Sequence, residues 1–413
     1  MGVCMPSCLI IVENLPVPLD RRVWQEATAL RDAGWGVTVI CPATEKCPER
    51  ETVIDGIRVY RHPLPLEAKG ALGFLLEYGA ALFHETVLAF KAFRRHGFDV
   101  IHICNPPDLL FLVALPYKAL DRALIFDHHD ICPELYESKF KKRGPMHTLL
   151  RIFERLTFRF ADVVISANET FKGLATTRGG KHPDDVFTVY SIPDLNKFKR
   201  VPTTEAKDAV TVGYVGVMGA QDGVDNLIRA VAALRKESGV PKFTCKIVGD
   251  GPELPALKAL AESLGVGDVC RFTGFLSGEP FLAALSSFDI GVIPDPFDVY
   301  NDKISMNKVF EYSALGVPVV AFKLGETQRL LGDAARYAPD HTHDGLASAL
   351  GVLLKDERLR RNYAERALER ARTHFHWPDQ VSNLLAAYDR ALTNRSGRHD
   401  SPEQERTIRS ERS

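Results

Sequence analysis

The chain has 413 residues, 45% of them hydrophobic and 25% charged, which is enough apolar material for two or three domain cores and excludes a globally disordered protein. The formal net charge of −1 excludes a general electrostatic attraction to nucleic acid. Eight scattered cysteines show no C-x-x-C pair, so they read as small hydrophobes of a reducing, cytoplasmic compartment.

The first apolar run, Leu9 to Val12, meets Glu13 at once and is too short for a secretory signal. Met1-Gly2 opens like a myristoylation site, but Pro6 stands where Ser or Thr is needed. No stretch has the roughly 18 uncharged apolar residues of a spanning helix.

A helical pattern follows over Asp20 to Ala33, then a strand over Gly36 to Ile40. Asp99–Ile103, Ala123–Phe126 and Asp162–Ser166 are further strands. They read as continuous apolar runs, as strands of a parallel sheet covered on both faces do. Between two of them lies Lys139–Arg143, then Leu149–Arg159, where seven cations accompany the single Glu154. Arg151, Arg155 and Arg159 are spaced to stack on one helix face, with Ile152, Phe153 and Leu156 pointing elsewhere. Two readings stand: a domain helix with arginines in water, or a helix that lies in an anionic membrane interface.

A boundary rich in Pro, Thr and charge spans Pro193 to Asp208. The βα pattern then restarts with the strand Val210–Val215 and a glycine turn at Gly216. A helix over Gly223–Lys236, strand Phe243–Val248, helix Glu253–Leu264 and strands Val269–Phe272 and Ile290–Ile293 follow. The helix Asn307–Leu315 leads into the strand Val317–Ala321. Alternation of this kind predicts two doubly wound sheets in series. We expect an N-terminal domain over 1–195, a C-terminal domain over 205–376, a helix over 377–392 packing back on the N-terminal domain, and a disordered tail over 394–413.

The most informative segment is Asn301 to Ala321: a polar loop, a short helix, a Gly-Val-Pro stop and a buried strand. Lys308 and Glu311 lie three apart and share a helix face. They form either a surface ion pair or a site in which Lys308 and the helix N-terminus at Asn307 face a phosphate while Glu311 binds sugar hydroxyls.

The segment resembles the donor signature of family 4 retaining glycosyltransferases, in the branch that reads N-K-x-x-E-Y followed by A-x-G-x-P-V-V. Tyr214–Gly219, Val248–Glu253 and Phe272–Phe275 are similar to other motifs of that family, in order and spacing. The resemblance covers nearly the whole ordered chain and implies the GT-B architecture, α/β with two facing Rossmann-like doubly wound domains. It implies that Glu311 holds the ribose of a nucleotide-sugar donor, that backbone near Phe275 meets the base, and that Gly216 and Gly219 approach the diphosphate. His129, in Asp127-His128-His129-Asp130, would face the donor sugar, with His128 positioning it.

Three departures accompany the resemblance. Lys303 stands where the family's first glutamate of E-x7-E belongs. The diphosphate-binding cations expected near Val217 and Asp222 are missing, and Lys303 with Lys308 would replace them. The loop Glu13–Arg22 lacks the usual Gly-Gly; Arg21 and Arg22 would either meet an acceptor phosphate or be solvated. His102 reads as a satisfied buried histidine.

No His, Asp or Glu set has metal spacing, and the architecture implies no cofactor or metal, since helix dipoles and cations replace Mg²⁺. The expected activity is retaining transfer of a sugar to a glycan or lipid-linked acceptor, at the inner face of the plasma membrane if the basic stretch docks there. The rivals are a nucleotide-sugar epimerase and a non-catalytic binding protein.

Overall fold

The computed structural model describes residues 5–63, 70–195, 198–202 and 208–410. The chain forms two compact units. The first comprises residues 1–136, 142–191 and 378–413, and the second 137–141 and 192–377.

In chain order the first unit holds β1 (Ser7–Val12), α1 (Arg21–Asp32), β2 (Gly36–Pro42), β3 (Glu51–Ile54), β4 (Ile57–His62), α2 (Gly70–His96), β5 (Val100–Cys104), α3 (Phe111–Ala119), β6 (Ala123–His128), most of α4 (Cys132–Phe140), α5 (Pro145–Phe160), β7 (Val163–Ser166), α6 (Glu169–Thr177) and β8 (Val186–Thr188). The strands lie in the order β3-β4-β2-β1-β5-β6-β7-β8, all parallel except β3, which forms a hairpin with β4. The five residues of β5 and the six of β6 are all buried, which is why both strands are mostly apolar, with His102, Asp127 and His128 the polar exceptions. Asp20 starts α1 by accepting a hydrogen bond from Val23 N at 3.0 Å. The chain leaves β1 toward β2 and leaves β5 toward β6, so the winding reverses between β1 and β5.

The second unit holds β9 (Val210–Val215), α7 (Val224–Lys236), β10 (Phe243–Val248), α8 (Leu254–Ser263), β11 (Cys270–Gly274), α9 (Gly278–Ser286), β12 (Ile290–Ile293), α10 (Asn307–Ala314), β13 (Val319–Ala321), α11 (Gly325–Leu331), β14 (Ala335–Tyr337), α12 (His343–Lys355) and α13 (Glu357–His374). Its sheet is parallel throughout, in the order β11-β10-β9-β12-β13-β14, and the winding reverses between β9 and β12. In such sheets the crevice beyond the carboxyl ends at the reversal is where ligands sit.

The last helix, α14 (Trp377–Ser410), belongs to the first unit. Its Tyr388 ring meets Trp35 edge-on at 4.9 Å, and its hydroxyl is hydrogen bonded to His102 Nδ1 at 2.8 Å. The expected disordered tail from 394 is a continuation of this helix. Asn394 donates to Asp185 at 3.0 Å and Arg395 pairs with Asp121 at 3.1 Å, which tie the start of this continuation to the first unit. The boundary between the units falls at Ser191, at the start of the polar stretch. No helix among the described residues is long and apolar enough to cross a membrane.

Candidate functional site

In the second unit, the reversal between β9 and β12 is built from backbone. The turn after β9 begins at Gly216, whose φ of 152° disfavours a side chain and whose Cβ would lie 2.8 Å from the Tyr214 hydroxyl. The turn after β10 packs against it so closely that a Cβ on Gly249 would lie 1.9 Å from Gly216 O, and one on Gly251 2.5 Å from Met218 O. Gly216 N donates to Val248 O at 3.1 Å and Met218 N to Asp250 O at 3.0 Å, stitching the two turns together. Gly219 N donates to Asp222 Oδ2 at 2.9 Å.

The loop after β12 is tied to this turn. Asn301 is buried and donates from Nδ2 to Gln221 O at 2.8 Å and to Pro296 O at 3.0 Å. Helix α10 follows, and no side chain caps its N-terminus. Glu311, one turn in, is buried. Beside it Tyr312 accepts from Val215 N at 3.1 Å, which locks α10 to the end of β9. Phe275, just after β11, is exposed. The sheet topology thus brings Gly216, Gly219, Asn307 and Glu311 to the same carboxyl edge.

The expectation for Lys308 is corrected. Its ammonium is buried and bonded to both oxygens of Asp295, at 2.7 and 3.0 Å, and it lies 4.7 Å from the centre of the Tyr214 ring. Asp295, at the end of β12, is the partner that the i,i+3 spacing to Glu311 did not suggest, because it comes from a different element. Lys303 Nζ donates to Val299 O at 2.5 Å. Asp222, where a cation was looked for, has its carboxyl pushed up to about 6 by burial, against the pull of Lys308.

In the first unit, the reversal between β1 and β5 gathers a second polar set. Arg22 is corrected from an acceptor-facing or solvated residue to a buried one. It donates to Asp127 from Nε at 3.1 Å and from Nη2 at 2.7 Å, and from Nη1 to Val189 O at 2.5 Å. Arg21, next to it, is half-buried. Asp127, at the end of β6, also pairs with His129 Nε2. Burial alone would raise the Asp127 carboxyl, but Arg22 and His129 hold it well below its usual range.

The main chain of His129 is fixed by Asn105, whose Oδ1 accepts from His129 N at 2.7 Å and from Asp130 N at 3.1 Å. Neither Asn105 nor Asp127 stood out in the sequence as a site residue. Both follow strands, and strand-end Asp and Asn are common in any α/β protein. His102 is the buried, bonded histidine expected. His128 does not position His129: it is buried among the rings of Phe126, Phe158 and Phe171, and burial pushes it down to about 3.

A cavity of about 560 Å³ lined by Phe198, Leu315, Leu368 and Arg372 includes none of these residues.

Residues 19–189 match the family described as "Glycosyl transferase 4-like domain", and residues 209–356 match "Glycosyl transferases group 1". The chain is 26% identical over 387 residues to the phosphatidyl-myo-inositol mannosyltransferase of Mycolicibacterium smegmatis, covering 91% of each. Its fold is similar to that of sucrose-phosphate synthase from Thermosynechococcus elongatus, with a TM-score of 0.74 at 18% identity, over 94% of this chain and 99% of that one. It is also similar to Anabaena HepE in complex with UDP and glucose, with a TM-score of 0.69 at 18% identity, over 93% and 99%.

Proposed function

Since this chain is a glycosyltransferase of GT-B architecture, built from a 4-like and a group 1 domain, we propose that it moves a sugar from a nucleoside-diphosphate donor to a lipid-linked or glycan acceptor with retention. The observation that carries the donor assignment is the backbone cradle at the β9–β12 reversal, where glycines 216, 249 and 251 leave no room for side chains and the uncapped end of α10 stands beside them. Backbone N–H groups and a helix N-terminus favour a diphosphate without a metal.

With Lys308 matched by Asp295 and the glycine amides of the two turns already donating to protein acceptors, the uncapped N-terminus of α10 carries most of the leaving-group stabilisation, and the glycines let the diphosphate approach it. Lys308 holds the site's shape, and Glu311 accepts from the ribose hydroxyls. The C1–O bond to the diphosphate breaks and a bond from C1 to an acceptor oxygen forms on the same face. The acceptor proton passes to the departing diphosphate oxygen, so no protein nucleophile is required. In the first unit His129 is oriented by Asp127 and Asn105.

HepE was crystallised with UDP and glucose, and the mycolicibacterial relative is named for a mannosyl transfer to a phosphatidylinositol. These names favour a nucleotide donor and a lipid-borne acceptor here.

The test is a thermal-shift screen of UDP-glucose, GDP-mannose and an ADP-sugar, followed by transfer assays with the donor that stabilises the protein. Glu311→Gln should stay folded and lose transfer by about a hundredfold. Unchanged kinetics would remove Glu311 from the site, and conversion of the donor without acceptor would indicate an epimerase.

A further inference from the structure

A second cluster of ligating groups lies in the first unit, outside the donor cradle and independent of the reading above. Glu13 follows β1, His62 ends β4, and Glu85 lies on α2. One ligand atom from each lies within 4.8 Å of the others. His62 and Glu85 are buried, and the Glu13 side chain is 11% exposed.

His62 Nδ1 lies 3.1 Å from Pro63 O. A carbonyl can only accept, so Nδ1 carries the hydrogen. Nε2 then points at Glu13 Oε2, 2.9 Å away. At that distance a positive charge lies between the nitrogen and the carboxylate, carried either by a proton on Nε2 or by a metal ion. The same arrangement, with Nδ1–H on a backbone carbonyl and Nε2 turned to the site, is how metal-ligating histidines are oriented. The parallel His84 ring, 6.3 Å from that of His62, stacks on it.

Glu85 is the second observation. It is fully buried, and neither carboxylate oxygen has a hydrogen-bond donor among the described residues. The side chain that meets it is Glu13, of like sign, and the two carboxyls lie within hydrogen-bonding reach of each other. A buried carboxyl with no donor and no cation is costly, and in native structures such groups are paired or bind metal.

We propose that Glu13, His62 and Glu85 form a site for one first-row divalent cation, Zn²⁺ or Mn²⁺, that clamps α2 to the carboxyl edge of the first sheet. One imidazole and two carboxylates suit these ions better than Ca²⁺ or Mg²⁺. Ligand bonds of about 2.1 Å give ligand–ligand edges of about 3.0–3.4 Å, close to the separation of His62 and Glu13. Three protein ligands leave a position open on the side of Glu13. The ion serves the acceptor-side unit and takes no part at the leaving diphosphate. The sequence conceals this site because its three members come from three separate elements.

The test uses the full-length chain without a histidine tag, stripped with a chelator and titrated separately with ZnCl₂ and MnCl₂. Bound metal is counted by mass spectrometry after removal of excess ion, and Tm is followed in parallel. Wild type should retain one equivalent of one of the two ions and gain Tm. Glu85→Gln and His62→Gln should each weaken binding by more than about a hundredfold and lose the metal-dependent gain. Metal-free Glu85→Gln should match or exceed the metal-free wild type in Tm, which separates ligand loss from misfolding. No retained ion in wild type, or undiminished binding in either variant, overturns the assignment.

Discussion

Lys308 and Asp295 are both nearly inaccessible and face each other at 2.7 Å. Removing one partner leaves a buried charge uncompensated, at a cost of about 3–5 kcal/mol, whereas replacing both with apolar groups is close to neutral. Lys308→Met should therefore lower unfolding free energy sharply in urea titrations, and Lys308→Met with Asp295→Leu should recover most of the loss. Additive losses would show that the two do not act as a pair. His128 gives a pH signature. Its ordinary value of 6.5 falls to about 3 in the fold. Below 6.5 the unfolded chain binds a proton that the folded one refuses, so stability is complete above that pH and declines as pH falls toward about 3. The slope from this group is about 1.4 kcal/mol per pH unit. His128→Leu should lack that component, and an unchanged slope would assign it to other groups.

At the scale of elements, α5 separates the two readings of the basic stretch. The face it turns inward carries Glu154, Thr157 and Phe158, while Met146, Leu149 and Ile152 are exposed. Glu154, the one anion of the stretch, is buried and paired with Arg178. All seven cations from Lys139 to Arg159 are exposed, although Lys139 and Lys141 group with the second unit. An outward apolar strip beside exposed arginines suits an anionic lipid surface, with each cation adding about 1 kcal/mol. Arg151, Arg155 and Arg159 changed together to Gln should weaken co-sedimentation with anionic vesicles by about a hundredfold, and Leu149→Ser with Ile152→Ser should weaken it as well. Wild type remaining in the supernatant at low salt would leave the acceptor soluble.

The same scale shows what the sequence could and could not convey. Buried parallel strands such as β5, β6 and β12 were legible because both faces are covered and most of their residues are apolar. The hairpin β3–β4 was not, since β3 lies at the sheet edge with exposed and half-buried residues alternating. Glycine turns and Glu311 were legible through motif spacing within one βα unit. Asp295, Asn105 and Asp127 were not, because each acts on a residue of a different element, Lys308, His129 and Arg22 respectively. Charge counting alone treated Lys308 and Arg22 as available cations, when tertiary contacts had already matched them.

At the scale of the whole molecule, the chain begins in the first unit, passes to the second at Ser191 and returns at Pro378. The first unit is therefore incomplete until the last helix is made. Helix α14 supplies Tyr388 to His102 and Trp35, Gln380 Oε1 to Tyr190 N at 2.9 Å, Asn383 to Thr188 O at 3.0 Å, and Arg390 to Asp185 at 2.8 Å. Leu384, Ala387, Tyr388 and Ala391 are buried by the same packing. Losing a Leu and a Tyr from a core costs several kcal/mol, comparable with the total stability of a domain. The second sheet and helices α7 to α13 lie wholly before the return, so they keep their own core. A chain ending at Trp377 should show the second unit still melting cooperatively and the first unit digested early in limited proteolysis. Tyr388→Phe in the full chain, which leaves His102 Nδ1 without its partner, should lower the first unit's unfolding free energy by about 1–3 kcal/mol and leave the second unit's transition unmoved. Equal losses in both units would mean that they unfold as one, and an intact first unit in the truncated chain would show that α14 is an accessory to its core rather than part of it.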